Sequence, residues 1–446
     1  MLCFRSTLQL RTLLGLVLVM APTVLAAEPQ SVESCRFKPH HENGIYELGE
    51  KVGWTVSCAA ATAPGKLSYA IRKNNYVAVQ SGVLDLASGG TVIEIVAGEP
   101  GMLYVELTPV ESTPSGVEKS TAAPAGAPAE RPKPVHLGAA VAPGMITRAS
   151  ARPADFDAFW DAKLQALAEV RINAALTPTP TTVPGVELYT FKLDSPGSHV
   201  QGYLAKPAKE GKFPALMLYQ WAGVYALNPE IAAKRAAEGW LAINVDSHDL
   251  APTESTGVPN EYAKIGNASR ETSYFLSMYL RDKRAIDYIA SRPDWDGKTI
   301  VALGTSMGGH QSLAAAALDA RVTAVIVNEP SGANTLGELY GYQTGYPNWV
   351  SADAQIMAAA PYFDTVNLAP RIKAPVLLAV GFIDTICPPA GLWMVLNQLQ
   401  APHEVIGMIE SDHNNLTPQK QGAWEARSTE VLALILGGGA FLPNQR

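Results

Sequence analysis

The chain has 446 residues, more than a single hydrophobic core usually serves, so two domains are expected. Its composition, 47% hydrophobic and 17% charged, is that of a globular protein and excludes disordered and fibrous classes. The formal charge is -7 and no cluster of Lys and Arg appears, which argues against nucleic acid as a partner.

The N-terminus carries Arg5 and Arg11, the apolar stretch Leu13 to Met20, and then Val24-Leu25-Ala26-Ala27. A positive start, a short apolar run and small residues at its end read as a secretory signal peptide over residues 1–27. The run is too short for a bilayer and Pro22 interrupts it, so no stable membrane anchor is expected. The mature chain is expected to be exported, to a periplasm or the extracellular space. There Cys35 and Cys58 are expected to pair, two reduced core cysteines being the alternative, with Cys387 left over.

From Glu47 to Thr108 the apolar residues have period two. Val52, Trp54, Val56 and Cys58 share a face, as do Leu67, Tyr69 and Ile71, and Leu103, Val105 and Leu107. Turn signals at Pro64-Gly65, Gly89-Gly90 and Pro100-Gly101 separate the runs, which predicts a small all-β sandwich. Residues 112–134, rich in Pro, Ala, Ser and Gly, read as a linker or loop, and Val135 to Met145 as a last strand. The N-terminal domain is thus placed at residues 28–147 and a second domain at 148–446.

Pro153 to Val170 reads as an amphipathic helix with Phe156, Trp160, Leu164 and Leu167 on one face. Leu188–Leu193 and Gln201–Ala205 read as an antiparallel pair. Apolar runs follow at Ala215–Tyr219, Leu241–Val245, Thr299–Leu303, Ala324–Val327, Val376–Val380 and Val405–Ile409. Helical stretches at Pro229–Glu238, Tyr274–Ser291 and Gln311–Leu318 separate most of them. Continuous apolar strands alternating with helices predict an α/β domain, a mostly parallel sheet with helices on both faces.

Gly304-Thr305-Ser306-Met307-Gly308 follows one of those strands and precedes one of those helices. A serine at such a turn is a nucleophile candidate in an α/β-hydrolase sheet, with glycines where side chains would collide. A serine hydroxyl needs a histidine to take its proton and a carboxylate to hold that histidine. Asp384 follows the strand Val376–Val380, where the acid belongs, and a helix cap or turn residue is its other reading. His413 follows the strand Val405–Ile409, whereas His403 precedes it, at the wrong end of the sheet. The oxyanion donors are expected to be the backbone amides of Met307 and Ala222, the latter in the loop after Ala215–Tyr219. His310 and the pair His248-Asp249 lack metal-ligand spacing, so no metal and no cofactor are expected. Tyr340, Tyr342, Tyr346 and Trp349 read either as a platform for sugar rings or, more blandly, as a lid or oligomer contact.

Several stretches resemble the acetyl xylan esterase/cephalosporin C deacetylase family. They are Arg292-Pro293-Asp294-Trp295-Asp296 with the serine pentapeptide, then Pro361-Tyr362-Phe363-Asp364 with Asn367-Leu368-Ala369. Ile372-Lys373-Ala374-Pro375-Val376-Leu377 and Gly381-Phe382-Ile383-Asp384-Thr385-Ile386-Cys387-Pro388-Pro389 are more specific, and Phe156-Asp157-Ala158-Phe159-Trp160 is also similar. The resemblance spans roughly residues 148 to 446 and implies deacylation of short, chiefly acetyl, esters on carbohydrate by Ser306, His413 and Asp384. It implies a small-molecule or oligosaccharide ester as substrate and leaves room for a homo-oligomer. The chain departs from the family at Tyr219-Gln220-Trp221-Ala222, Ser247-His248-Asp249, Met307 and Asp412-His413-Asn414. Two rival readings stay open: an esterase or exopeptidase-like hydrolase with another substrate, and a catalytically dead carbohydrate-binding protein.

Overall fold

The computed structural model describes residues 32–58, 65–86, 90–110, 133–246 and 248–444. The signal peptide expected at 1–27 and nearly all of the linker expected at 112–134 lie outside the described residues.

The alternating N-terminal segments form two sheets. Cys35–Pro39, Lys51–Cys58 and Gly90–Val96 make an antiparallel three-stranded sheet. Ile45–Tyr46, Val135–Val141, Gly101–Pro109, Lys66–Lys73 and Val77–Asp85 make a five-stranded one. Their inner faces share one core in which Val52, Trp54, Val56 and Ile93 meet Leu67, Ile71, Val105 and Leu107. This is the expected sandwich. Cys35 and Cys58 stand opposite each other in register and form a disulfide. Cys58, half-buried at its strand end, keeps the phase of Val52, Trp54 and Val56 and packs against that core, as expected.

The remainder is built on a nine-stranded sheet. Its order is His403–Met408, Val376–Gly381, Ala324–Asn328, Trp295–Thr305, Phe213–Tyr219, Leu241–Asp246, Ser198–Pro207, Val186–Ser195 and Ala175–Thr179. The first six strands are mutually parallel and the last three join antiparallel. Alternate residues serve opposite faces, as a pleated strand requires. Met217, Ala302 and Leu378 pack under helices Phe156–Glu169, Tyr274–Ser291, Met307–Leu318 and Pro389–Gln398, while Leu216, Val301 and Leu377 pack under Pro229–Glu238 and Pro418–Leu436. Burial on both faces is why these strands read as unbroken apolar runs.

Two long helices were not expected, Pro389–Gln398 and Pro418–Leu436, nor were the short ones Ala354–Ala359 and Thr365–Leu368. The first is buried from Pro389 to Leu396 without a break, so it has no polar face to give it a helical period. His403 opens the last parallel strand rather than preceding it. Among the described residues no helix is long and apolar enough to cross a membrane.

Candidate active site

The carboxyl ends of the parallel strands converge on Ser306. The strand Trp295–Thr305 ends there and helix Met307–Leu318 begins at the next residue, leaving Ser306 with φ 55° and ψ -121°. That region is unfavourable for a residue with a side chain, and such strain concentrates at functional sites. The turn is held by Ser306 N–H donating to the Asn328 carbonyl at 3.0 Å, and the Ser306 carbonyl accepting from Ser331 N–H at 3.0 Å. The flanking glycines are obligatory: a Cβ on Gly304 would lie 2.2 Å from the Gly308 carbonyl, and one on Gly308 2.4 Å from the Tyr219 carbonyl.

His413, at φ 76°, follows the last strand and turns back toward the serine. Its Nε2 lies 3.0 Å from Ser306 Oγ and its Nδ1 2.7 Å from Asp384 Oδ2. Asp384 is buried, and its Oδ1 accepts from the amides of Ile386 and Cys387, each at 2.8 Å. Those bonds fix the carboxylate so that Oδ2 is left for the imidazole. Burial alone would lower the His413 pKa, but the hydrogen bond and charge of Asp384, with the charges of Glu329 and Asp412, outweigh it and the net direction is up. Asp412 itself is tied to Asn415 and Lys420; burial opposes ionisation, yet these partners hold its carboxyl down at about 2.

Met307 opens its helix, so its amide has no acceptor four residues back and is free to serve a ligand. Ala222 lies in an exposed stretch of its loop. Gln220, two residues earlier, is the part of that loop seated against the helix, where its carbonyl accepts from Gln311 Nε2 at 2.7 Å. Trp221 between them is 56% exposed.

His248 and His310 have structural work. His248 bonds the Gly223 carbonyl and the Tyr274 hydroxyl, each at 3.0 Å, and burial lowers its pKa to about 4. His310 is buried against Tyr279 and Ser331, and burial likewise lowers it to about 4. The aromatic residues of 340–349 do not share a face. Trp349 is buried, stacked on Phe363 at 5.6 Å, whereas Tyr340 is exposed.

One group among the described residues has the spacing of a metal site, Asp384, Cys387 and His413, with ligand atoms within 4.8 Å of one another. Its carboxylate and imidazole are already bonded to each other, and burial, with the charges of Asp384 and Glu329, keeps the Cys387 thiol protonated. That donor set does not suit a resident ion.

Two features escape sequence reasoning. Glu329, one residue past the strand Ala324–Asn328, is fully buried beside the Asp384–His413 pair. A charged residue closing an apolar strand at the same end of the sheet as Ser306 was the available signal. The second is the sandwich itself, which reaches the acid loop. Asn75 Nδ2 donates to Gln343 Oε1 at 2.6 Å, Gln343 Nε2 donates to the Thr385 carbonyl at 2.7 Å, and Gly138 packs directly on Phe382.

The chain is similar to known proteins. The family model for acetyl xylan esterase (AXE1) covers residues 146–427, a span that contains Ser306, Asp384 and His413. The acetyl esterase Axe7A of Xylanibacter ruminicola is 29% identical over 396 residues, 84% of this chain and 85% of that protein. A match of that extent cannot fit within residues 146–446, so it takes in part of the N-terminal strands. Among solved structures, an acetyl xylan esterase from Paenibacillus sp. R4 shares the fold at TM-score 0.57 and 24% identity, over 67% of this chain and 98% of that one. Acetyl xylan esterase 1 from Thermoanaerobacterium sp. JW/SL YS485 does so at TM-score 0.54 and 22% identity, over 66% and 96%. The chain belongs to the acetyl xylan esterase family and is a carboxylic ester hydrolase.

Proposed function

We propose that the chain is an exported serine esterase that removes acetyl groups from carbohydrate esters through an acetyl-enzyme. The observation that carries this reading is the continuous relay from Ser306 Oγ to His413 Nε2 at 3.0 Å and from His413 Nδ1 to Asp384 Oδ2 at 2.7 Å. Ser306 Oγ attacks the ester carbonyl as its proton passes to His413 Nε2. Asp384, accepting from Nδ1–H, stabilises the imidazolium. The amides of Met307 and Ala222 donate to the tetrahedral oxyanion. Collapse breaks the ester bond, and His413 returns the proton to the departing sugar hydroxyl. Water, deprotonated by His413, then releases acetate from Ser306.

Acetylated carbohydrate is the substrate class because the family and the Axe7A relative act on acetyl esters. Export is supported by the Arg5–Ala27 segment and by the Cys35–Cys58 disulfide, a bond that persists in oxidising compartments. Residues 28–147 are read as one domain that buttresses the acid loop through Asn75 and Gly138.

A panel of acetylated xylo-oligosaccharides, longer acyl esters and peptide amides tests the reading. Acetate release from the oligosaccharides, faster than from the longer acyl esters, is expected. Turnover confined to the amides would overturn it.

A further inference from the structure

Glu329, with φ 43°, lies one residue beyond the strand Ala324–Asn328, which runs between the strands leading to Ser306 and to Asp384. Its backbone N–H donates to the Ala379 carbonyl at 3.1 Å, which pins it between the nucleophile and the acid loop. The side chain is fully buried and its Oε1 has no hydrogen-bond partner. That oxygen lies against Gly381, where a Cβ would come within 2.1 Å of it. Gly381 begins the turn to Asp384, whose amide donates to the Gly381 carbonyl at 3.3 Å. Near Oε2 stands Gln421, whose Nε2 is at 3.5 Å and makes its shorter bond, 2.8 Å, to Ser411 Oγ.

A buried carboxyl with one bare oxygen costs stability, so its presence beside a reacting pair calls for a role in the reaction. We propose that Glu329 is a second acid for His413, a positioning residue whose negative charge joins that of Asp384 when the imidazole takes the serine proton. Asp384 supplies the hydrogen bond that orients the ring, and Glu329 supplies charge without direct contact. The groups facing this pair are Asp384 and Cys387 from the acid loop, and His413 and Asp412 from the histidine loop. Helix Pro418–Leu436 adds the neutral Gln421, and its Lys420 is bound to Asp412. Burial, then the charge of Asp384, raises Glu329 to about 7, and His413, which burial alone would lower, is raised by Asp384 and by the charge of Glu329. The two groups therefore titrate as a pair, and the acid limb of the pH profile belongs to both.

This inference rests on Ser306 being the nucleophile, and Ser306→Ala serves as the control for that reading. The experiment is the pH dependence of kcat and KM on an acetate ester for the wild type, Glu329→Gln and Glu329→Asp, with thermal unfolding of each. In Glu329→Gln the acid limb is expected to move to lower pH by about half a unit or more and to become a one-proton limb, because His413 loses a negative neighbour. Its plateau kcat should fall on the order of fivefold at unchanged KM, and Glu329→Asp should restore the position of the limb. A folded Glu329→Gln with the wild-type limb and plateau would overturn the proposal while leaving the serine mechanism intact. An active Ser306→Ala would instead remove its foundation. Should Glu329→Gln fail to fold, the native enzyme decides: an acid limb that departs from a single titration, with a shoulder of about fivefold, supports the pairing, and a limb that follows a single titration contradicts it.

Discussion

Ser306, Asp384 and His413 are separated by up to 107 positions along the chain, yet their functional atoms meet at 3.0 and 2.7 Å. They were legible because each follows a recognisable apolar strand at the same end of a parallel sheet, in the order the chemistry needs. Glu329 was not, since one carboxyl after a strand has no partner in the sequence and acquires its meaning only from Gly381 and Asp384 in space. Asp384 differs from Glu329 in bonding the imidazole directly. Asp384→Asn keeps the shape but presents the wrong groups to Nδ1, so a loss in kcat of about a thousandfold or more at nearly constant KM is expected, read by steady-state kinetics. A kcat within tenfold of wild type would mean that the Asp384–His413 bond is not used.

At the scale of elements, the elbow between strand Trp295–Thr305 and helix Met307–Leu318 shows why part of the fold was readable and part was not. The helix was expected over Gln311–Leu318, yet it begins at Met307 and takes in Gly308 and Gly309, which are poor helix formers. Close packing overrides that propensity, since the glycines allow the first turn to approach Tyr219 and Pro330. Helix Pro389–Gln398 was lost for a related reason, an apolar surface all round with no stripe to reveal its period. The elbow yields a sharp expectation. Gly308→Ala would put a Cβ 2.4 Å from the Tyr219 carbonyl, a backbone atom that cannot swing aside. It should cost about 2 kcal/mol or more of stability, measured by urea unfolding, and displace the loop that follows Tyr219 enough to lower kcat. Unchanged stability and kcat would show that the elbow is more yielding than its contacts indicate.

For the molecule as a whole, the sandwich and the hydrolase unit meet at the loop that carries Asp384, through Asn75, Gln343 and Phe382. The period-two pattern made the sandwich legible, but nothing in it could say which loop the sandwich would touch. The Cys35–Cys58 bond, closing a separation of 23 residues, stabilises that sandwich. Replacing both cysteines by alanine should lower the stability of the sandwich by about 3 kcal/mol, visible as a lower Tm, while the rate per folded molecule stays the same at moderate temperature. An unchanged Tm would mean the bond is not formed in the native protein.

The serine mechanism itself is tested most directly by trapping its intermediate. The enzyme is quenched in acid during turnover of an acetate ester, digested, and the peptide containing Ser306 is weighed. One acetyl group on Ser306 is expected in the wild type, and neither adduct nor turnover in folded Ser306→Ala. Turnover that persists in the variant, or acetyl found on another residue, would contradict the account.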